Sequence, residues 1–264
     1  MHQQLIRLSQ RHFNLLEICP RKWQYLYLEQ LTTPINPEQH ESITWGSQFH
    51  LVMQQRELGL PINSLLGENE QLQKTVNALV DALSDILQPQ LSKWREAEHS
   101  RSLNFQNYLL VVVYDLLVLH SQQAQIFDWK TYLKPQNPAK LQRDWQTRLY
   151  LYVLAETSEY EPEQISMTYW FVKLPNKPQS LTIRYNPIAH EQTKKDLTRL
   201  INQLENWLGS YRQEGQDLPQ VPENKGKCRH CNFAGRCQRN LESEETAKRE
   251  NWLASLAQIE EISL

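Results

Sequence analysis

The stretch Leu109-Leu110-Val111-Val112-Val113-Tyr114-Asp115-Leu116-Leu117-Val118-Leu119 decides how the chain folds. A continuous run of branched apolar residues predicts a central β-strand covered on both faces. Asp115 interrupts it, and a buried, ionised carboxylate costs on the order of several kcal/mol unless a cation or strong hydrogen bonds compensate it. After the polar turn His120-Ser121-Gln122-Gln123, a second run, Gln125-Ile126-Phe127-Asp128-Trp129-Lys130, adds another carboxylate and an ammonium. Strand side chains alternate, so Asp128 and Lys130 point to one face. Two strands joined by a short turn can bring two carboxylates and a lysine together, a set suited to a divalent cation.

Around this pair the pattern alternates between helix and strand. Ser9 is a plausible N-cap for a helix running to about Cys19, and Pro20 breaks it before a second helix from Arg21 to about Leu31. Gly46 to about Leu58 reads as helical. Residues 69–98 read as mostly helical through Leu72, Val76, Leu79, Leu83 and Leu87, with a break or kink at Pro89. Strands are expected over 102–106, 109–119, 124–131, 165–173 and 180–185. Helices are expected over 139–157 and from Pro187 to about 213, and a polar helix at the C-terminus. The order indicates a mixed α/β layer.

Bulk properties narrow the function classes. The chain has 264 residues, a formal net charge of −2 and 7 glycines. That length buries a substantial core in one large domain or two small ones. With no net positive charge, any nucleic-acid contact must come from local basic patches. No phosphate-cradling glycine loop is visible, which argues against a nucleotide-driven motor. The apolar stretches are too short and interrupted to span a bilayer, and Met1-His2-Gln3-Gln4 lacks a signal-peptide pattern, so the expected location is the cytosol, without a membrane partner.

Asp115 and Asp128 would hold Mg²⁺ or Mn²⁺, with the Trp129 carbonyl as a third oxygen, while Lys130 positions the attacking water. The alternative is a buried salt bridge. His50 could supply a nitrogen ligand, but spacing alone does not bring it to the acids. Gln146 and Tyr150 stand four apart on one helix face, ready to contact a phosphate or simply to pack on the sheet. Cys228-x2-Cys231-x5-Cys237 and the remote Cys19 are the four cysteines, enough for tetrahedral zinc or an iron–sulfur cluster. Their joint ligation would close a loop of about 209 residues. Between Lys225 and Arg239 no acidic residue occurs. Arg21, Lys22, Lys227, Arg229 and Arg236 could form a basic collar for a phosphate backbone if the cysteines converge, or an ordinary solvated surface if they do not.

In this order the motifs resemble the PD-(D/E)XK nuclease superfamily, in its RecB-like branch. Leu8-Ser9 through Cys19-Pro20-Arg21-Lys22-Trp23 resembles that branch's N-terminal helix, and Gly46-x3-His50 its GxxxH motif. Asp115 and Asp128-x-Lys130 match the metal and lysine motifs, and Gln146-x3-Tyr150 the QxxxY motif. The cysteines resemble the pattern of CRISPR-adaptation nucleases and AddB-type nuclease domains. Two departures stand out. Val113 occupies a position where many relatives have glycine, and the helical stretch before Glu98 is longer than in the smallest relatives. Glu98 itself resembles a further acidic position of some members.

The resemblance implies one nuclease domain over residues 1–264. Its restriction-endonuclease-like mixed sheet is flanked by helices, with a helical insertion at about 59–98, a core at about 99–215 and a cysteine-rich loop, 224–240, joined to Cys19. It implies that His50, Asp115, Asp128 and the Trp129 carbonyl bind the catalytic metal, that Lys130 is catalytic with Gln146 and Tyr150 beside it, and that Cys19, Cys228, Cys231 and Cys237 hold a 4Fe-4S cluster. The implied activity is a Mg²⁺- or Mn²⁺-dependent deoxyribonuclease acting on single-stranded DNA or duplex ends, in DNA repair or CRISPR adaptation, with a helicase or an integrase as partner. A non-catalytic DNA-binding scaffold and an RNA nuclease are the competing expectations.

Overall fold

The structure, a computed structural model, describes residues 6–32, 37–84, 94–131, 137–174, 177–229 and 231–239. The chain divides into two compact units. The first comprises Met1–Asn14 with Pro34–Glu205, the second Leu15–Thr33 with Asn206–Leu264. No helix among the described residues is long and apolar enough to cross a membrane.

The first unit is an α/β layer around a mixed sheet. Its strands are β1 (Ile6–Leu8), β2 (Trp94–Phe105), β3 (Tyr108–Leu119), β4 (Ala124–Lys130), β5 (Ile165–Phe171) and β6 (Gln179–Arg184). The apolar run is β3, and it organises the sheet. On one edge it pairs antiparallel with β2 along nearly its whole length, from Phe105 opposite Tyr108 to Trp94 opposite Leu119. The other edge is shared. β1 runs parallel along Tyr108–Leu110, and β4 runs antiparallel along Leu116–Leu119 only. β4 then continues beside β5 in parallel through Lys130, and β6 closes the sheet antiparallel to β5. Beyond the Leu116–Phe127 pair, β3 and β4 therefore part.

Helices cover both faces. Helices α3 (Pro37–Glu57), α4 (Asn63–Leu66) and α5 (Glu70–Leu83) pack Phe49, Val52, Met53, Leu72, Val76 and Leu79 onto Leu116, Val118, Phe127, Trp129 and Trp170. On the opposite face lie α6 (Pro138–Arg143) and α7 (Trp145–Glu156). There the Tyr114 hydroxyl donates to the Tyr150 carbonyl at 3.1 Å, and Phe105 meets Tyr152 edge-on. Arg148 of α7 pairs at 2.6 Å with Asp196 on the long helix α8 (Pro187–Glu214), whose Leu197, Leu200, Ile201 and Leu204 are buried.

These contacts reveal a slip in the strand alternation. Val113 lines a groove with α3, whereas Tyr114 lies under α7; strict alternation would then put Leu116 under α7 as well. Leu116 instead joins the core under α3 and α5. On β2, Ala97 packs against that same core, while His99 stacks on Tyr114. The phase changes on both strands at one level, Asp115 opposite Glu98. That pair is missing from the otherwise unbroken β2–β3 register, and Glu98 sits at φ 52°. A left-handed glutamate inside a strand is strained, and such distortions turn side chains toward functional sites.

Several sequence expectations need correction. The helical reading of 69–98 holds over Glu70–Leu83, but residues from Trp94 onward form β2. Its charged sequence has no strand-like apolar alternation, and only the long ladder to β3 makes it a strand. Leu87 and Pro89 lie outside the described residues, as does the expected C-terminal helix. The expected helix over 139–157 breaks at Asp144, whose side chain accepts from the Gln146 amide at 2.8 Å and so caps α7. α3 begins at Pro37, well before Gly46, and β1 was not anticipated. β3 is buried on both faces only over Leu116–Val118, because Leu109, Val111, Val113 and Asp115 are partly or well exposed.

In the second unit, α1 (Gln10–Ile18) runs into α2 (Pro20–Tyr27) at Cys19. Gln24 is fully buried there. It donates to Glu29 at 2.7 Å and Asp217 at 2.6 Å, and accepts from the Leu218 amide at 2.7 Å. Arg21 adds a 2.7 Å pair with Asp217 and a 2.6 Å bond to the Leu218 carbonyl. Segments nearly two hundred positions apart are thus joined by ordinary hydrogen bonds. Gln24→Leu should cost about 2–3 kcal/mol by stranding these partners, seen as a lower denaturation midpoint with an unchanged m-value. An unaltered midpoint would show that water replaces the amide without loss.

Candidate active site

α3 brings an imidazole to the place where β3 and β4 part. Gly46 lies one turn before His50, and a Cβ at Gly46 would meet the Thr131 hydroxyl oxygen at 3.1 Å. The glycine lets the helix approach the end of β4, and the histidine then reaches the acids. His50 Nδ1 lies 3.3 Å from Asp115 Oδ1 and 3.8 Å from Glu98 Oε1. The other Asp115 oxygen accepts the Trp129 amide N–H at 2.6 Å. A backbone group released from the β3–β4 ladder thereby fixes the carboxylate.

The ligand atoms of His50, Glu98 and Asp115 all lie within 4.8 Å of one another. The two carboxylates are hard donors of the kind Mg²⁺ and Mn²⁺ accept, and the imidazole adds one borderline nitrogen, so the residues present fit such an ion. They border a groove of about 680 Å³ whose walls include Ile43, Leu51, Val113 and Thr131. Burial opposes a charged His50, but hydrogen bonds to Asp115 and Glu98 and the charge of Asp115 and Asp128 outweigh it, raising its pKa to about 10.

Beside this set stands a second one, reached from α7. Lys130 Nζ lies 2.6 Å from Asp128 Oδ1 and donates to Gln146 Oε1 at 2.6 Å. Gln146 Nε2 returns a 2.6 Å bond to Asp128 Oδ2. Lys130 also lies 5.1 Å from the centre of the Tyr169 ring. Burial pushes the Asp128 carboxyl up to about 6; the Lys130 ammonium opposes the rise and the Asp115 charge adds to it. The Tyr150 phenol is 3.4 Å from Gln10 Nε2, and burial, with the charges of Asp128 and Asp115, raises its pKa.

Of the residues singled out in the sequence, His50 and Asp115 thus adjoin directly, while Asp128, Lys130 and Gln146 form a closed network next to them. Trp129 contributes its amide to Asp115. Glu98 supplies the third donor. Its acidic character was visible in the sequence, but its position opposite Asp115 depends on the β2–β3 register, which local pattern could not give.

The four cysteines belong to the second unit. Cys19, Cys228, Cys231 and Cys237 line one small cavity of about 60 Å³. Among the described residues, no three of these sulfurs lie within 4.8 Å of one another. Burial pushes the Cys237 thiol up, a hydrogen bond to Tyr25 opposes this, and the charges of Cys19 and Cys231 add to it. Of the expected basic collar, Arg21 is bound to Asp217 and Leu218, and Arg236 lies over Tyr25 and 3.8 Å from Glu29. Lys227 and Arg229 are exposed, and Lys22 borders the cysteine cavity.

The family model of the PD-(D/E)XK nuclease superfamily matches residues 7–238, spanning the sheet, both carboxylates and the lysine. The chain belongs to the PD-(D/E)XK nuclease superfamily. Among solved structures, a protein named as a candidate exonuclease of Eubacterium rectale is similar in fold, with a TM-score of 0.53, 10% identity and 90% of each chain covered. The crystal structure of SSO0001 gives a TM-score of 0.38 at 11% identity, covering 89% of this chain and 86% of that one. No curated protein matches the sequence.

The raised His50 pKa sets a pH dependence. The imidazole is protonated in the metal-free site at neutral pH and must be neutral to bind an ion, so binding releases about one proton. Mn²⁺ affinity measured by calorimetry should rise roughly tenfold per pH unit between pH 7 and 9. His50→Asn should flatten that slope, and a flat profile in the unaltered protein would remove His50 from the ligand set.

Proposed function

We propose that the protein is a Mg²⁺- or Mn²⁺-dependent deoxyribonuclease acting on single-stranded DNA or duplex ends. The observation that carries this reading is the pairing of two carboxylates and an imidazole, Glu98, Asp115 and His50, with an adjoining lysine at the end of β4. We assign Asp128 and the Trp129 carbonyl to the same ion. The Trp129 amide already bonds Asp115, and the Asp128 charge already favours protonated His50. The bound cation would act as a Lewis acid on the phosphoryl oxygen and offset its charge.

The chain's own residues do the rest. Lys130 keeps its ammonium beside the ion through Asp128 and Gln146, with an N–H left over for the phosphate. Charge developing on phosphate oxygens during hydrolysis is stabilised by a donor held in advance. Gln146 orients the lysine, and Tyr150, kept as a neutral phenol, can donate a hydrogen bond. DNA cleavage should require Mg²⁺ or Mn²⁺ and stop with EDTA. Asp115→Ala and Lys130→Ala should each lower the rate by at least about a hundredfold; both variants should still fold, with Lys130→Ala melting at a lower temperature because buried Asp128 loses its ammonium. Near-wild-type cleavage by both variants would overturn the assignment, whereas DNA binding without any cleavage would favour a scaffold role.

We assign a 4Fe-4S cluster to Cys19, Cys228, Cys231 and Cys237, within a RecB-like branch of the superfamily that serves DNA repair or CRISPR adaptation beside a helicase or an integrase. This assignment rests on the sequence spacing Cys228-x2-Cys231-x5-Cys237 with the remote Cys19, and on the one cavity that the four residues line. Protein prepared without oxygen should carry about four iron and four sulfide per chain. Stoichiometric zinc without iron or sulfide would refute the cluster.

A further inference from the structure

Helix α3 breaks the pattern expected of a surface helix. One side buries Phe49, Val52 and Met53 in the core, and the opposite side should be polar. It instead carries Ile43, 57% exposed and about two turns before His50, and Leu51, 41% exposed and next to His50 in the chain. Val113 of β3, 40% exposed, lines the same groove, held on that side by the slip in alternation at Asp115. Exposed apolar residues that converge on a polar site mark ligand contact.

Among its described lining residues the groove has no lysine or arginine. Its walls are mixed: Ser42, Ser47, Gln54 and Thr131 are polar, and the three aliphatic side chains form the part that suits an apolar surface, while the acids and their cation meet the charge. In a nucleic acid the apolar surfaces are the base planes. Stacking covers them inside a duplex, and an unpaired or flipped-out base exposes them. A groove of about 680 Å³ also has the capacity of a nucleotide-sized pocket.

We propose that Ile43, Leu51 and Val113 form a wall that seats one unstacked nucleobase next to the phosphate held at Asp115. This rests on the nuclease reading and narrows its substrate to a strand whose reacting end is unpaired. Aliphatic contact reads the plane of a base rather than its edge, so the four bases are accepted alike.

The test compares two single strands in Mg²⁺, one intact and one with base-free sugars at its terminal positions. Both have phosphorothioate linkages so that binding is measured without cleavage. Wild-type protein should bind the intact strand roughly fivefold tighter, the order expected from covering part of a base face with aliphatic side chains. Combining Leu51→Gln with Val113→Thr should abolish that preference while leaving affinity for the base-free strand unchanged. Ile188→Gln, which removes an 84% exposed side chain outside the groove, should retain it. Equal wild-type affinity for the two strands, a preference that survives the double variant, or no binding of either strand overturns the wall. A base preference that behaves as expected while unprotected strands stay uncut would sink the nuclease reading alone.

Discussion

The site depends on where the ladder between β3 and β4 ends. Because β2 fills one edge of β3, β1 and β4 must share the other, and β4 leaves after the Leu116–Phe127 pair. The next residues on each strand are Asp115 and Asp128. A continued ladder would have engaged the Trp129 amide with β3 backbone; parted strands leave it to the Asp115 side chain at 2.6 Å. The carboxylate thus substitutes for a strand partner and is held open to the groove. The paired distortion at Glu98 and Asp115 completes this geometry by turning a second carboxylate toward the same imidazole.

Electrostatics explain why so many ionisable groups are tolerated at the sheet's centre. Asp128 is buried, and it is bound by one ammonium and one amide, so neither oxygen faces apolar surroundings alone. Hydrogen bonds to Asp115 and Glu98 favour the protonated form of His50. Without a cation the cluster keeps a proton on His50, and with one it exchanges that proton for the ion. The same negative field that raises the histidine favours a divalent cation, so the protonated and metal-bound states are alternatives of one electrostatic arrangement.

The second unit follows a different logic. Its distant segments are joined by Gln24 and Arg21 gripping Asp217 and Leu218, and by Tyr25 packing against Phe233 at 5.2 Å between ring centres. The cysteines line a cavity within a scaffold that already has its own polar clasp. Arg21, which by composition reads as a phosphate contact, is absorbed into that clasp.

Much of this was legible in the order of residues. The apolar run indicated a central strand and the spacing Asp128-x-Lys130 put acid and lysine on one face, whereas His50 was tied to the acids only through the resemblance of Gly46-x3-His50 to a family motif. The first two features obey local periodicity, so the sequence by itself determined the α/β class and offered Asp115, Asp128 and Lys130 as candidates. Tertiary structure decided what periodicity cannot carry. The charged segment from Trp94 became a strand only by pairing with β3, and that register alone set Glu98 against Asp115. The slip there moved Leu116 and Tyr114 to opposite faces although both occupy even positions, because a distortion shared by two strands changes which side a residue faces without changing its number in the chain.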